Sequence, residues 1–227
     1  MPARFKRLPD DVAAHCARLG HPRTVRQGAM LTTQGEVATH AYYVQRGYAR
    51  VTSTSSEGHE VLVTFMGPRD LVGFGAAIET VERYVATAVA VEPMDLIVWE
   101  RAIALQLADR FPEVHERLDA ILVHNLKTLM RRVHTVSEGS VPQRLASVLL
   151  ELMQRHGRRE KTGIVIEPHL TRQDLAGLTG TTLYTASRVL AMWQTYGLVS
   201  STRGVVRVTN EARLRAVARG RQPALRA

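Results

Sequence analysis

The residues best placed to do chemistry lie between positions 171 and 208. Thr171-Arg172-Gln173-Asp174 has the pattern of a helix start, with the Thr171 hydroxyl placed to cap free backbone amides and Asp174 placed to answer three residues later. The helix is expected to stop near Gly180, and a second to run from about Thr182 to Tyr196, where Gly197 ends it. In a helix-turn-helix numbered from Arg172, Ala176 falls where the helices approach closely and Gly180 in the turn; Ala186 and Val189 fall on the inward side of the second helix. The outward side near its start presents Thr182, Leu183, Tyr184, Ser187 and Arg188, the end that a recognition helix inserts into the major groove. Leu198 to Val208, with a tight Thr202-Arg203-Gly204 turn, reads as a β-hairpin wing with Arg203 at its tip in reach of a phosphate.

Charge is distributed to match. Residues 138–227 carry 14 Lys and Arg against 6 Asp and Glu, whereas residues 1–137 carry 16 against 15. A basic segment beside a neutral one points to a polyanion for the former, most simply double-stranded DNA, and a different task for the latter. On charge alone a basic domain without a partner fits equally well, and a helix, glycine turn and helix also occur in all-α cores. The conjunction of basic charge, wing and helix pair favours DNA.

The elements positioning these residues follow from periodicity. From Arg23 to Trp99 short alternating runs are punctuated by turn residues: Val25 to Leu31, His40 to Val44, Tyr48 to Thr54, Glu60 to Met66, Tyr84 to Val91 and Leu96 to Trp99. They predict a jelly roll or barrel of cupin-like type. Arg101 to Ala108 reads as a short helix, and Glu113 to about Val136 as a long one on which Leu118, Leu122, Asn125 and Leu129 recur near a 3.5-residue period. That seam suits pairing with a second copy; packing on the chain's own roll is the alternative. Ser137 to Ser140 is expected to be a hinge, Val141 to Arg155 an amphipathic helix, His156 to Gly163 a basic loop, and Arg213 to Ala227 a mobile basic tail. The fold class is therefore α+β, with a β-roll domain at 1–112, a dimerisation helix at 113–137 and a winged helix-turn-helix at 138–227.

Several chemistries are excluded or left without support. The single Cys16 rules out an intramolecular disulfide, a zinc knuckle and a cluster held by several thiolates. Met1 to Gly20 has no apolar core of signal-peptide length and no run reaches 18 apolar residues, so a cytoplasmic protein away from membranes is expected. A metalloenzyme on the roll would have to use His40 and His59, which lack the spacing of a two-histidine-plus-carboxylate site. No metal site and no catalytic residue are expected. A non-DNA adaptor pairing through the long helix is the third reading.

In this order of elements the sequence resembles the CRP/FNR superfamily of bacterial transcription regulators over about residues 20 to 210. The resemblance is carried by Leu170-Thr171-Arg172-Gln173-Asp174-Leu175-Ala176, Thr185-Ala186-Ser187-Arg188-Val189-Leu190, Gly67-Pro68-Arg69-Asp70-Leu71-Val72-Gly73 and Glu57-Gly58-His59-Glu60. It implies a homodimer on a palindromic operator, RNA polymerase as a further partner if the protein activates, Arg172 and Thr185 at phosphates, and Thr182, Tyr184, Ser187 and Arg188 facing the groove. Where the family places a cytosine-reading glutamate, this chain has Tyr184. The family's cyclic-nucleotide site pairs glycine with glutamate and arginine with serine or threonine; here Gly73 precedes Phe74 and Arg83 precedes Tyr84. A cyclic nucleotide is therefore not expected, and Gly73, Phe74, Gly75, Arg83 and Tyr84 are the candidate lining of a pocket for some other effector, or filling of a closed core. Such an effector would act through the hinge. An iron–sulfur cluster conflicts with the lone cysteine, and haem stays open because nine histidines and Pro2 offer ligands without a marked pair.

Overall fold

The computed structural model describes residues 8–202 and 204–221, with backbone only for 131–138. The chain divides into two compact units, residues 1–127 and 128–227.

The first unit is a roll of two four-stranded antiparallel sheets. One has the order β1 (His21–Val25), β8 (Met94–Glu100), β3 (His40–Arg46), β6 (Leu71–Val72); the other β2 (Met30–Thr32), β7 (Thr87–Ala90), β4 (Ala49–Thr54), β5 (Glu60–Met66). The expected run from Val25 to Leu31 is split, because Gly28 at φ +83° turns the chain between β1 and β2. Strand alternation sends Val25, Tyr42, Val44, Val51, Met94, Leu96 and Val98 into one core. A second core lies outside the first sheet, where Trp99, Ala41 and Ala38 meet α1 (Asp10–Leu19), α2 (Arg101–Arg110) and a 3₁₀ turn at Phe74–Ala77. Sequence reasoning missed α1, whose buried face is only Val12 and Cys16, one turn apart; the Trp99 indole donates 2.8 Å to the Cys16 carbonyl and holds the helix end.

The Gly67-to-Asp70 turn is fixed by the Asp70 carboxylate, which accepts from the Gly67 amide at 2.9 Å, and by Arg117, which donates 3.0 Å to the Arg69 carbonyl. Arg117 lies on α3 (Pro112–Glu138), which begins one residue before the expected start at Glu113, since proline is tolerated in a first helical turn. The helix continues through Ser137 and Glu138, so the expected four-residue loop is shorter.

The second unit contains α4 (Val141–His156), α5 (Arg172–Thr179), α6 (Leu183–Thr195), α7 (Glu211–Ala218) and an antiparallel sheet of order β11 (Val199–Thr202), β12 (Val205–Val208), β10 (Gly163–Ile166), β9 (Gly157–Glu160). Two expectations are corrected here. The basic loop at 156–163 is largely a strand: β9 pairs with β10 on one side only, and Arg158 is held by ion pairs to Glu160 at 2.9 Å and to Glu167 at 2.8 Å. The expected mobile tail is a packed helix as far as Ala218, capped by Asn210 and anchored by buried Leu214 and Val217; Arg226 lies outside the described residues. Among the described residues no helix is long and apolar enough to cross a membrane.

Candidate nucleic-acid interface

Each part of the helix-turn-helix is held by local chemistry. At the start of α5 the Thr171 hydroxyl accepts from the Asp174 amide at 3.0 Å, and the Asp174 carboxylate accepts from the Thr171 amide at 2.9 Å and from its hydroxyl at 2.6 Å. The predicted reciprocal cap is therefore complete. Gly180 ends α5 at φ +60°, while the Thr181 amide reaches the Ala176 carbonyl at 3.0 Å and the Gly180 amide that of Gly177 at 3.3 Å. A Cβ on Gly180 would meet nothing within 4 Å, so the turn requires glycine for its left-handed backbone and not for space. Arg144 on α4 braces the same turn, donating 2.7 Å to each of the Thr179 and Gly139 carbonyls. No local signal in the sequence identifies that contact.

The recognition helix α6 is capped by Thr182, whose hydroxyl accepts from the Thr185 amide at 3.2 Å and lies 2.9 Å from the Thr185 hydroxyl. Ala186, Val189, Leu190 and Trp193 are buried, as the spacing predicts. Thr182, Leu183, Tyr184 and Arg188 are exposed, with Thr185 and Ser187 half-buried. Thr171 and Gln173 are also exposed at the start of α5. Arg172, expected at a phosphate, donates from Nη2 to Gln194 Oε1 at 3.3 Å, and its Nη1 is buried without a partner among the described residues. Gln194 in turn donates 3.3 Å to the Ser201 carbonyl on β11. Arg172 and Gln194 thus tie the first helix, the end of the second and the wing together, a link that spacing alone did not reveal.

In the wing β11 and β12 pair from Val199 with Val208 to Thr202 with Val205. Arg203 lies outside the described residues. The carbonyl of Gly204, at φ +80°, accepts from the Leu170 amide at 2.8 Å, and a Cβ there would collide with the His169 ring. The sheet carries its own charge link, Arg207 to Glu160 at 2.7 Å; Arg207 first, and then Arg158, hold the Glu160 carboxyl below its usual range.

The candidate effector residues take different places in the roll. Tyr84 is buried, and its hydroxyl accepts from the amides of Thr39 at 3.2 Å and His40 at 2.8 Å while donating to the His40 carbonyl at 2.8 Å. Gly73, left-handed at φ +66°, leaves room for the Tyr84 ring, which a Cβ would approach to 3.2 Å. Phe74 packs into the outer core and Gly75 lies in the 3₁₀ turn. Arg83 points outward, donating 2.8 Å to the Gly35 carbonyl. These residues do not fit a cyclic nucleotide: Phe74 has no acceptor for a ribose hydroxyl, and the phenol of Tyr84 has already taken the polar backbone groups it faces. A shallow cavity of about 230 Å³ does open in the roll, lined by His21, Pro22, Arg23, His40, Val98 and Glu100, none of them a predicted pocket residue. Among the described residues no three His, Cys, Asp or Glu side chains gather as a metal site.

The seam on α3 is also redistributed. Leu118, 5% exposed, is part of the roll's outer core, and Asn125 is half-buried. The exposed apolar residues are Leu122, Val123, Leu126 (59%), Leu129 and Met130, three of which the 3.5-residue reading did not include.

Comparison with known proteins agrees with this geometry. Residues 143–217 match the Crp-like helix-turn-helix domain, and residues 22–111 match the cyclic nucleotide-binding domain. The cyclic AMP receptor protein of Thermus thermophilus is 31% identical over 198 residues, 87% of this chain and 88% of that protein. The CRP-like cAMP-activated global transcriptional regulator of Mycobacterium tuberculosis is 26% identical over 206 residues, 91% of each. In three dimensions FixK2 from Bradyrhizobium japonicum superposes with a TM-score of 0.75 at 22% identity, over 87% of this chain and 96% of that one, which shows the shared fold. These relatives are regulators and not enzymes, and with a β-roll and a helix-turn-helix DNA-binding domain the chain belongs to the CRP/FNR family of transcription regulators.

Proposed function

We propose that the protein acts in the cytoplasm as a homodimer that reads a palindromic operator through α6, and that its roll is not controlled by a cyclic nucleotide. The observation that carries this reading is the exposed start of α6, with Arg188 one turn beyond Tyr184, on a unit held in winged helix-turn-helix form by the Thr171–Asp174 cap and the Gly180 turn. Arg188 is the base reader, because a guanidinium grips guanine O6 and N7 together. Thr182 and Ser187 face the groove beside it, while Thr171, Arg172, Gln173, Thr185 and Arg203 meet phosphates. The dimer forms through the apolar stripe of α3 that Leu122, Leu126 and Leu129 leave exposed, with Asn125 setting register. A two-fold pair of recognition helices requires half-sites about one DNA turn apart. RNA polymerase is the further partner if the protein activates.

Sedimentation and operator binding of Leu126→Arg and Arg188→Ala test this together. Leu126→Arg should sediment as a monomer and lose operator affinity. Arg188→Ala should stay dimeric and lose roughly 1–3 kcal/mol of discrimination at one G·C pair per half-site. A dimeric Leu126→Arg, or an Arg188→Ala variant with full discrimination, overturns the corresponding part.

A further inference from the structure

The start of the recognition helix carries an unusual choice of side chains. Leu183 is 48% exposed and Tyr184 76% exposed, side by side in its first turn, and the turn contains no acidic residue. The neighbouring polar atoms are already engaged, since the Thr182 hydroxyl takes the Thr185 amide and meets the Thr185 hydroxyl. Besides Ser187, what remains to meet a base edge is one aliphatic side chain, one phenol and, four residues beyond Tyr184, the Arg188 guanidinium. Residues four apart lie on one helix face with their Cβ atoms about 5–6 Å apart. That separation covers between one and two base-pair steps of about 3.4 Å.

We propose that Leu183 and Tyr184 are specificity-determining residues that read the methyl groups of thymine next to the guanine held by Arg188. The inference rests on α6 being the operator reader. Of the major-groove edges, thymine alone presents an apolar group, its C5 methyl, whereas cytosine presents an amino donor that calls for a carboxylate acceptor. This helix start offers no carboxylate and offers two surfaces that gain by leaving water against a methyl. The basic charge of the surrounding segment, 14 Lys and Arg against 6 Asp and Glu over residues 138–227, supplies the complementarity to the phosphates on either side. The half-site therefore contains thymine within two steps of the guanine, on the side facing the N-terminus of α6.

The test uses the full-length protein and the operator it selects from random duplexes. Each thymine of the half-site is replaced in turn by deoxyuridine, which keeps every hydrogen bond and removes only the methyl. Affinity should fall about fourfold at one or two positions, the value of one buried methyl group. Leu183→Ala with Tyr184→Ala should bind the thymine and uracil operators equally, and Tyr184→Glu should move the preference at that position towards cytosine. Both positions are exposed, and circular dichroism is the check that the variants fold. Equal binding of thymine and uracil operators by the native protein, with guanine substitution still costly, overturns this inference and leaves the DNA reading intact. Selection of no common sequence overturns the DNA reading itself.

Discussion

Tyr84 gives the most direct test of how the roll is closed. Its hydroxyl makes three hydrogen bonds, with the Thr39 amide at 3.2 Å and with the His40 amide and carbonyl at 2.8 Å each, and its ring lies against Gly73. Tyr84→Phe keeps the ring and removes the hydroxyl. Each buried hydrogen bond contributes about 1 kcal/mol net, and the 3.2 Å bond less, so the cost should be about 2–3 kcal/mol. Tyr84→Ser also removes the ring and leaves a void, raising the cost to roughly 3–5 kcal/mol. Urea unfolding measures both. Trp99 lies in the roll and Trp193 in the DNA-binding unit, so a Trp193→Phe background makes Trp99 fluorescence report the roll alone. With a denaturant slope of about 2 kcal/mol/M, Tyr84→Phe should lower the midpoint by about 1 M. A midpoint within about 0.2 M of the parent would show that the hydroxyl does not hold the roll shut.

Other expectations concern the turns and one buried phenol. Gly180→Ala should cost about 1 kcal/mol, from left-handed backbone alone, because its Cβ has open space; Gly204→Ala should cost more, because its Cβ meets the His169 ring, and His169→Ala should recover part of the difference. Equal costs in Trp193-monitored unfolding would contradict the geometry. Burial first, and then Tyr84 beside it, push the Tyr42 phenol up to about 12, with Arg23 acting the other way. Since the unfolded phenol ionises near 10, its contribution is whole below pH 10 and is lost as pH rises from there through about 12. Tyr42→Phe should flatten that alkaline limb of the stability profile, and an unchanged slope would refute the assignment.

What the sequence disclosed was local. The Thr171–Asp174 cap, the Gly180 turn and the inward face of α6 each depend on residues within a turn or two, and the periodicity that marks them survives folding. What stayed hidden depends on long separations. Tyr84 answers His40, 44 residues away, and Arg144 answers Thr179, 35 residues away, so neither partner could be named from spacing. The strand β9 escaped because an edge strand of glycine and charged residues has no apolar alternation to show. On α3 the repeat located an apolar stripe, but it could not tell that the roll itself covers Leu118 while Leu122, Leu126 and Leu129 remain exposed. Tyr184 was legible as a departure from the family pattern, and its exposure beside Leu183 gives that departure a physical meaning.

The central claim, a palindrome reader that needs no cyclic nucleotide, is tested most directly by selecting genomic DNA fragments with the purified protein in the absence of ligand, at roughly physiological salt where non-specific binding is weak. The account predicts one enriched palindromic motif with half-site centres about 34 Å apart, and the same motif at the same enrichment when cyclic AMP is added. Enrichment without a shared motif, or a motif that emerges only with the nucleotide, would contradict it.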